Sequence, residues 1–217
     1  MLKVWRKAIL MTAVIVLGPG IFVPALWRDW RIWWLFACAA VLVGSQPNIQ
    51  YSKLGSDVKA VRDRGSIRLI IIAGYLSILL PLGKFILAVH NHEALRARST
   101  AAAAAIVGSL ALILRVYSIR VLGKFFTSHV VIQEDHQLCE AGPYRYVRHP
   151  SYSGSMLFFL MVPVVFGYPL WFFLYAVAWL LTYRRRIAAE EEALTEHFGE
   201  KYVQYKARTK ALIPWVF

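Results

Sequence analysis

Four runs of apolar side chains occupy most of the first 122 residues, and they restrict the chain to folds that pair their backbones without help from water. They lie at Ala8 to Leu26, Ile32 to Gly44 with a milder extension to Ile49, Leu69 to Val89, and Ala101 to Leu122. Most are long enough to cross a hydrocarbon core of about 30 Å, where a backbone survives only as a helix or a closed barrel. With 59% hydrophobic residues and a mean hydropathy of +0.51, the chain is too apolar for an ordinary soluble domain. No alternating strand-helix pattern and no G-x-G-x-x-G after a strand is present, so a nucleotide-binding sheet is excluded. The first run contains Gly18-Pro19-Gly20 and is followed by Trp27 and Trp30, which fits a retained helix better than a cleaved signal peptide. The expected fold is an all-α integral membrane protein beginning with four transmembrane helices.

A fifth apolar run, Met156 to Leu181, is broken by Gly167, Tyr168 and Pro169. Read as a hairpin, it has arms of about 11 to 13 residues, each about 17 to 20 Å long, and returns the carboxyl-terminal tail to the side it left. Charge supports that reading. The chain holds 25 Lys and Arg against 12 Asp and Glu, a formal net charge of +13. In a soluble protein this would suggest nucleic acid, but here the cations segregate by topology. Lys3, Arg6 and Lys7 precede the first run, and Lys53, Lys59, Arg62, Arg64 and Arg68 fill or border the second loop. Lys124, Arg145 and Arg148 follow the fourth run, and Arg184, Arg185, Arg186, Lys201, Lys206, Arg208 and Lys210 follow the hairpin. The positive-inside rule puts all of these, with the amino terminus, on the cytoplasmic side, facing anionic lipid headgroups rather than nucleic acid.

Two polar segments therefore share one face. The first is GPYRYVRHPSYSG at 142–154, rich in turn formers, cations and tyrosines. Its arginines suit headgroup snorkelling, its tyrosines an interfacial belt, and its prolines a turn, while their density at the mouth of a hairpin also suits a pocket for a planar ligand. The second holds Arg186 and Glu190, four residues apart on one helical face and so able to pair, as surface ion pairs also do. Glu190, Glu191 and Glu192 point in different directions, so one can face inward while another is solvated. Leu194, Phe198, Tyr202 and Tyr205 recur at helical spacing and read as an amphipathic tail helix. Lys84 and Arg115 interrupt the spans and are read as snorkelling or paired within the bundle, and Ala101 to Ala105 as close helix packing. His90 and His92 read as loop residues, and His136, Cys139 and His149 match no strong zinc spacing. Cys38 and Cys139 imply no disulfide framework.

The stretch FTSHVVIQEDHQLCEAGPYRYVRHPSYSG at 126–154, then a hydrophobic hairpin, then RIAAEEEALTEHFGEKYVQYKARTKALIP at 186–214, resembles the isoprenylcysteine carboxyl methyltransferase family. More distantly it resembles the phospholipid N-methyltransferases. The resemblance covers roughly the last 90 residues; the first four runs match only as membrane helices. It implies methyl transfer from S-adenosylmethionine to the carboxylate of a carboxyl-terminal prenylated cysteine, with the lipid entering from the bilayer. Carried over by motif, His149, Tyr152, Arg148 and the backbone around Leu138, Gly142 and Tyr144 would hold the cofactor, with His129 a further candidate. Glu190 or Glu191 would meet its amino-acid end, and Arg186 with Glu190 would carry the catalytic role by orienting the acceptor carboxylate. The resemblance thus divides the chain into a four-helix region, 1–123, and a methyltransferase region, 124–217, in which connecting and tail helices close a cofactor pocket. No metal is implied, and nothing in the sequence fixes an oligomeric state. A methyltransferase of a lipid amine, phenol or small thiol remains an alternative, as does a non-catalytic lipid-binding or transport protein.

Overall fold

The computed structural model of the protein describes residues 10, 12–45, 66–92, 98–126 and 137–213. His129 and His136, the amino-terminal cations, and the basic residues of the second loop other than Arg68 lie outside the described residues. Six α-helices are described: α1 (Trp30–Gly44), α2 (Ser66–His90), α3 (Arg98–Leu122), α4 (Pro150–Val165), α5 (Trp171–Phe198) and α6 (Glu200–Arg208). The all-helical expectation holds for these residues, where the sole strand-like pairing is an isolated parallel bridge between Val147 and Lys210.

The first apolar run departs from the continuous helix expected of it. Ala13–Leu17 forms a wide π turn, Gly18–Ile21 a 3-10 turn, and Pro24–Arg28 a second 3-10 turn. The cause is local: neither Pro19 nor Pro24 has an N–H to give, and the intervening Phe22 and Val23 amides both return to the Pro19 carbonyl. Trp27 folds back so closely that its indole N–H bonds the Gly20 carbonyl at 2.8 Å, and a Cβ on Gly20 would lie 2.5 Å from its ring. Asp29 then caps α1 by accepting from the Arg31 amide at 2.9 Å.

Among the described residues, Ser66–His90 and Thr100–Phe125 are long and apolar enough to cross a bilayer, while Trp30–Gly44 and Pro150–Val165 are apolar but shorter. The outward faces of these helices are apolar. Leu69, Ile72, Leu76 and Leu80 on α2, Ile106, Leu110 and Ile113 on α3, and Phe173, Leu174 and Leu181 on α5 are all exposed.

The expected hairpin is present, with longer arms than the apolar run alone indicated. Its first arm, α4, begins at Pro150 inside the polar motif; its second, α5, continues through the three glutamates to Phe198. Gly167, at φ +92°, makes the turn. α4 is the centre of the bundle, with Phe158, Val162 and Val165 fully enclosed. Its most extensive neighbour is α3. The two backbones approach so closely that a Cβ on Gly154 would stand 2.6 Å from the Ala111 carbonyl oxygen and 2.8 Å from the Arg115 amide nitrogen. The alanines at 101, 104 and 105 are buried as expected, Ala104 and Ala105 packing against Val165.

Polar ties fix the other helices. Trp34 of α1 donates to Ser109 Oγ of α3 at 3.0 Å. Pro81 within α2 cannot donate to the Ser77 carbonyl, and beside that break Trp179 bonds Ser77 Oγ at 3.0 Å while the Tyr175 hydroxyl bonds the Leu76 carbonyl at 3.2 Å. The amphipathic tail is split rather than continuous. Gly199, at φ +55°, ends α5 and starts α6, whose Tyr202 and Tyr205 are buried.

Candidate functional site

Residues 142–149 form a turn leading into α4, and its shape depends on three neighbours. Gly142 adopts φ +57° and lies against α3, where a Cβ would be 3.2 Å from the Tyr117 hydroxyl. Tyr144 is buried; its hydroxyl reaches the Ser118 carbonyl at 3.4 Å, and its own carbonyl accepts from the Tyr205 hydroxyl of α6 at 2.6 Å. Burial pushes the Tyr144 phenol well above its ordinary range. The segment after α6 then lies alongside. Arg148 and His149 donate their amides to the Lys210 and Ala211 carbonyls at 2.8 and 3.0 Å, and Ser153 Oγ donates to the Leu212 carbonyl at 2.5 Å.

This turn sets His149 and Tyr152 against the glutamates of α5. Glu191 is the inward-facing member of the three, with 9% of its side chain exposed. Its Oε1 accepts from Arg148 Nε at 2.7 Å and lies 3.4 Å from His149 Nε2; its Oε2 is 2.7 Å from Lys206 Nζ. Burial alone would raise its pKa, but the bonds from His149, Lys206 and Arg148 outweigh it and hold the carboxyl at about 2. Arg148 also donates to the Thr209 carbonyl, so the tail and the turn meet at this carboxylate.

Glu190 is different. It is 30% exposed, its Oε2 accepts from the Tyr152 hydroxyl at 2.7 Å, and His149 Nδ1 stands 3.8 Å away. Arg186 Nε donates to the same Tyr152 hydroxyl at 3.2 Å. Arg186 and Glu190 do share a face, as their spacing requires, but the structure links them through Tyr152 rather than by direct pairing. Arg186 is buried and also reaches Ser66 Oγ of α2 at 3.4 Å.

The rings form a column. His149 stacks on Tyr152 at 5.4 Å and 4°, Tyr152 on Tyr183 at 4.9 Å and 16°, Tyr183 on Trp179 at 5.1 Å and 29°, and Trp179 on Phe159 at 4.7 Å and 9°. The column starts in the polar turn and ends in the apolar bundle. Two cavities flank it. One of about 490 Å³ lies among α1 to α5 and is mostly apolar, with Tyr152, Tyr183, Arg115 and Arg186 on its wall. The other, of about 850 Å³, is a groove whose lining includes the charged residues Arg148, Glu191, Lys206 and Lys210.

Of the expected site residues, the structure thus brings Arg148, His149, Tyr152, Arg186, Glu190 and Glu191 together. Gly142 and Tyr144 hold the turn on α3 and α6, Leu138 is half-buried in the segment leading to it, and His129 lies outside the described residues. Tyr183, Ser155 and Arg115 on the cavity wall were not expected as site residues. Tyr183 stands three before Arg186 and Ser155 three after Tyr152, the helical spacing that would have found them.

A chain with a hairpin, a carboxylate cluster and an adjoining apolar cavity of this arrangement has relatives. Residues 103–196 match the isoprenylcysteine carboxyl methyltransferase (ICMT) family. Over 106 residues, 48% of this chain and 54% of the relative, the sequence is 35% identical to protein-S-isoprenylcysteine O-methyltransferase B of Arabidopsis thaliana. It is 34% identical over 92 residues to the protein-S-isoprenylcysteine O-methyltransferase of Schizosaccharomyces pombe, covering 41% of this chain and 39% of that one. The chain spans about half the length of the curated relatives it matches, or less. The fold is similar to that of a solved eukaryotic intramembrane Ras methyltransferase, ICMT, with a TM-score of 0.58 and 20% identity over 97% of this chain and 85% of that one. That likeness extends over the apolar helices that precede the ICMT-matching region.

Proposed function

We propose that the protein is an S-adenosylmethionine-dependent membrane methyltransferase that O-methylates the carboxylate of a prenylcysteine or a similar lipid-linked acid. The observation that carries this reading is the Arg186–Tyr152–Glu190 chain, which runs from the wall of the apolar cavity to the polar turn. S-adenosylmethionine would supply an electrophilic methyl on sulfur and an ammonium group. The residues fit it: Glu190 is part-exposed, and its one bonded oxygen leaves Oε1 without a partner among the described residues. Glu191, with both oxygens engaged, is better suited to holding the turn and tail in place. His149 and Tyr152 offer the flat surface, and Arg148 fixes the turn that carries them.

Arg186 is placed to orient an acceptor carboxylate at the mouth of the cavity. Its planar fork holds both oxygens, and a carboxylate already ionised at neutral pH needs no base. The carboxylate would be the methyl acceptor, and this chain's residues need only hold it in line, with no proton to remove. Tyr152 and Glu190 keep the guanidinium in position and draw part of its charge away from the nucleophile. The 490 Å³ cavity suits an apolar chain entering from the bilayer. Two guanidinium groups on that wall make a cationic amine acceptor the poorer choice.

In this reading residues 124–217 hold the cofactor, residues 1–123 complete the lipid-facing walls, and the amino terminus and polar turn face the cytoplasm, where their charge meets anionic headgroups. The test is methyl transfer to a prenylcysteine analogue from labelled cofactor. Arg186→Lys keeps the charge and loses the fork, and is expected to cut turnover more than about tenfold while cofactor binding survives. Near-normal turnover by folded Arg186→Lys and Arg186→Ala proteins would remove the carboxylate-orienting role.

A further inference from the structure

Arg115 lies in the middle of the apolar run of α3 and yet is only 7% exposed. A buried guanidinium is costly unless its charge and its five donors are met. Its Nη1 donates to Ser155 Oγ at 2.7 Å and approaches the Ser151 carbonyl at 3.5 Å. Its Nε is enclosed and has no partner, and no carboxylate pairs with it among the described residues. Ser155 Oγ donates its own hydrogen bond to the Ser151 carbonyl at 2.7 Å, so it offers Arg115 a neutral oxygen and no balancing charge. The close crossing at Gly154 fixes the residue there, since any larger side chain would push the α3 backbone away. Arg115 forms part of the wall of the 490 Å³ cavity, beside Ser155 and Tyr183.

Depth follows from the two arms of the hairpin. Ser155 lies three residues further into the bundle than Tyr152 on α4, and Tyr183 three further in than Arg186 on α5. At 1.5 Å per residue both displacements are about 4.5 Å. The cavity therefore has two polar layers, Arg186 with Tyr152 at the mouth and Arg115 with Ser155 and Tyr183 about one helical turn deeper.

We propose that Arg115 is a specificity-determining residue that binds an oxygen acceptor group carried by the lipid chain itself, about 4 to 5 Å along from the carboxylate held by Arg186. The preferred amphiphile is then an acid with a second carbonyl, hydroxyl or carboxylate three to five bonds down its apolar chain, not a plain hydrocarbon acid. The inference rests on the methyl-transfer reading only in taking the mouth of the cavity as the carboxylate end.

The experiment measures equilibrium binding of three acids, hexadecanoic, 4-oxohexadecanoic and 5-oxohexadecanoic, to the full-length protein in detergent, using the fluorescence of its tryptophans. At least one oxo acid is expected to bind about tenfold or more tighter than hexadecanoic acid, as a charge-assisted hydrogen bond allows. Arg115→Met should bring the three acids level, whereas Arg186→Met should weaken all three and keep the preference. Equal binding of the three acids by the unaltered protein would overturn the proposal, even if Arg115→Met does not fold. So would a preference that survives in folded Arg115→Met. Absence of methyl transfer with the oxo-acid preference intact would count against the enzymatic reading and leave Arg115 as the binding group.

Discussion

Replacing Glu191 by Gln should release the tail from the turn at 147–153. Glu191 receives Arg148 at 2.7 Å and Lys206 at 2.7 Å, with His149 at 3.4 Å, and Arg148 is itself 9% exposed. Lys206 is half-exposed, and its share is expected to be about 1 kcal/mol or less. Breaking the enclosed Arg148–Glu191 pair by removing one partner carries the larger cost, about 3 to 5 kcal/mol. The lowered pKa of Glu191 points the same way. The Glu191 carboxyl is lowered from 4.5 to about 2, which corresponds to a contribution of the order of 3 kcal/mol. The folded value lies below the unfolded one, so this contribution is fully present above about pH 4.5 and is lost as pH falls through about 2. Hydrogen exchange reads it directly, because the Arg148 and His149 amides are bonded to Lys210 and Ala211. A cost near 3 kcal/mol predicts more than a hundredfold faster opening of those two amides in Glu191→Gln at neutral pH. The unaltered protein should approach the variant's behaviour as pH drops from 4.5 toward 2. Equal protection of the two proteins at pH 7, or protection in the unaltered protein that does not change over that pH interval, would refute the assignment of Glu191 as the anchor of the tail.

Tyr152→Phe keeps the ring column but removes the hydroxyl between Arg186 and Glu190; turnover in the methyl-transfer assay should fall about ten- to a hundredfold, with ring stacking preserved by near-UV dichroism. Gly154→Ala places a methyl 2.6 Å from the Ala111 carbonyl oxygen and should destabilise the α3–α4 pair by about 1 to 3 kcal/mol or more, measured by denaturant titration in detergent. Single cysteines introduced beside Lys124, Arg145 and Lys206 in a background lacking Cys38 and Cys139 should label from one side of the membrane, and one beside His92 from the other.

Much of the site was legible because helical spacing is rigid. Arg186 and Glu190 had to share a face, and three consecutive glutamates had to point in different directions, which left Glu191 buried and Glu192 exposed. The hairpin could be read from Gly167 to Pro169 because few other residues turn so tightly. The relay through Tyr152 could not be read, since it depends on how α4 and α5 are set side by side, and spacing within one helix carries no information about its neighbour. The same limit hid Arg115, whose burial is decided by the contact at Gly154 on another helix. In the first apolar run hydropathy gave the right environment and the wrong backbone, because Pro19 and Pro24 break hydrogen bonds that a hydropathy count does not register. Gly199 was similarly overlooked: the tail's apolar period runs through it, while its positive φ divides the helix.

The bonds from Arg148, His149 and Ser153 to residues 210–212 also impose an order of assembly. The turn that carries His149 is synthesised some 60 residues before the carbonyls that hold it, with the whole hairpin lying between them. The turn cannot be closed by these bonds until the tail has been made and the two arms have brought it back. A chain shortened before Thr209 would keep every apolar helix and still lack the carbonyls that hold Arg148 and His149 in place. The polar turn is therefore complete only in a chain that extends through Leu212.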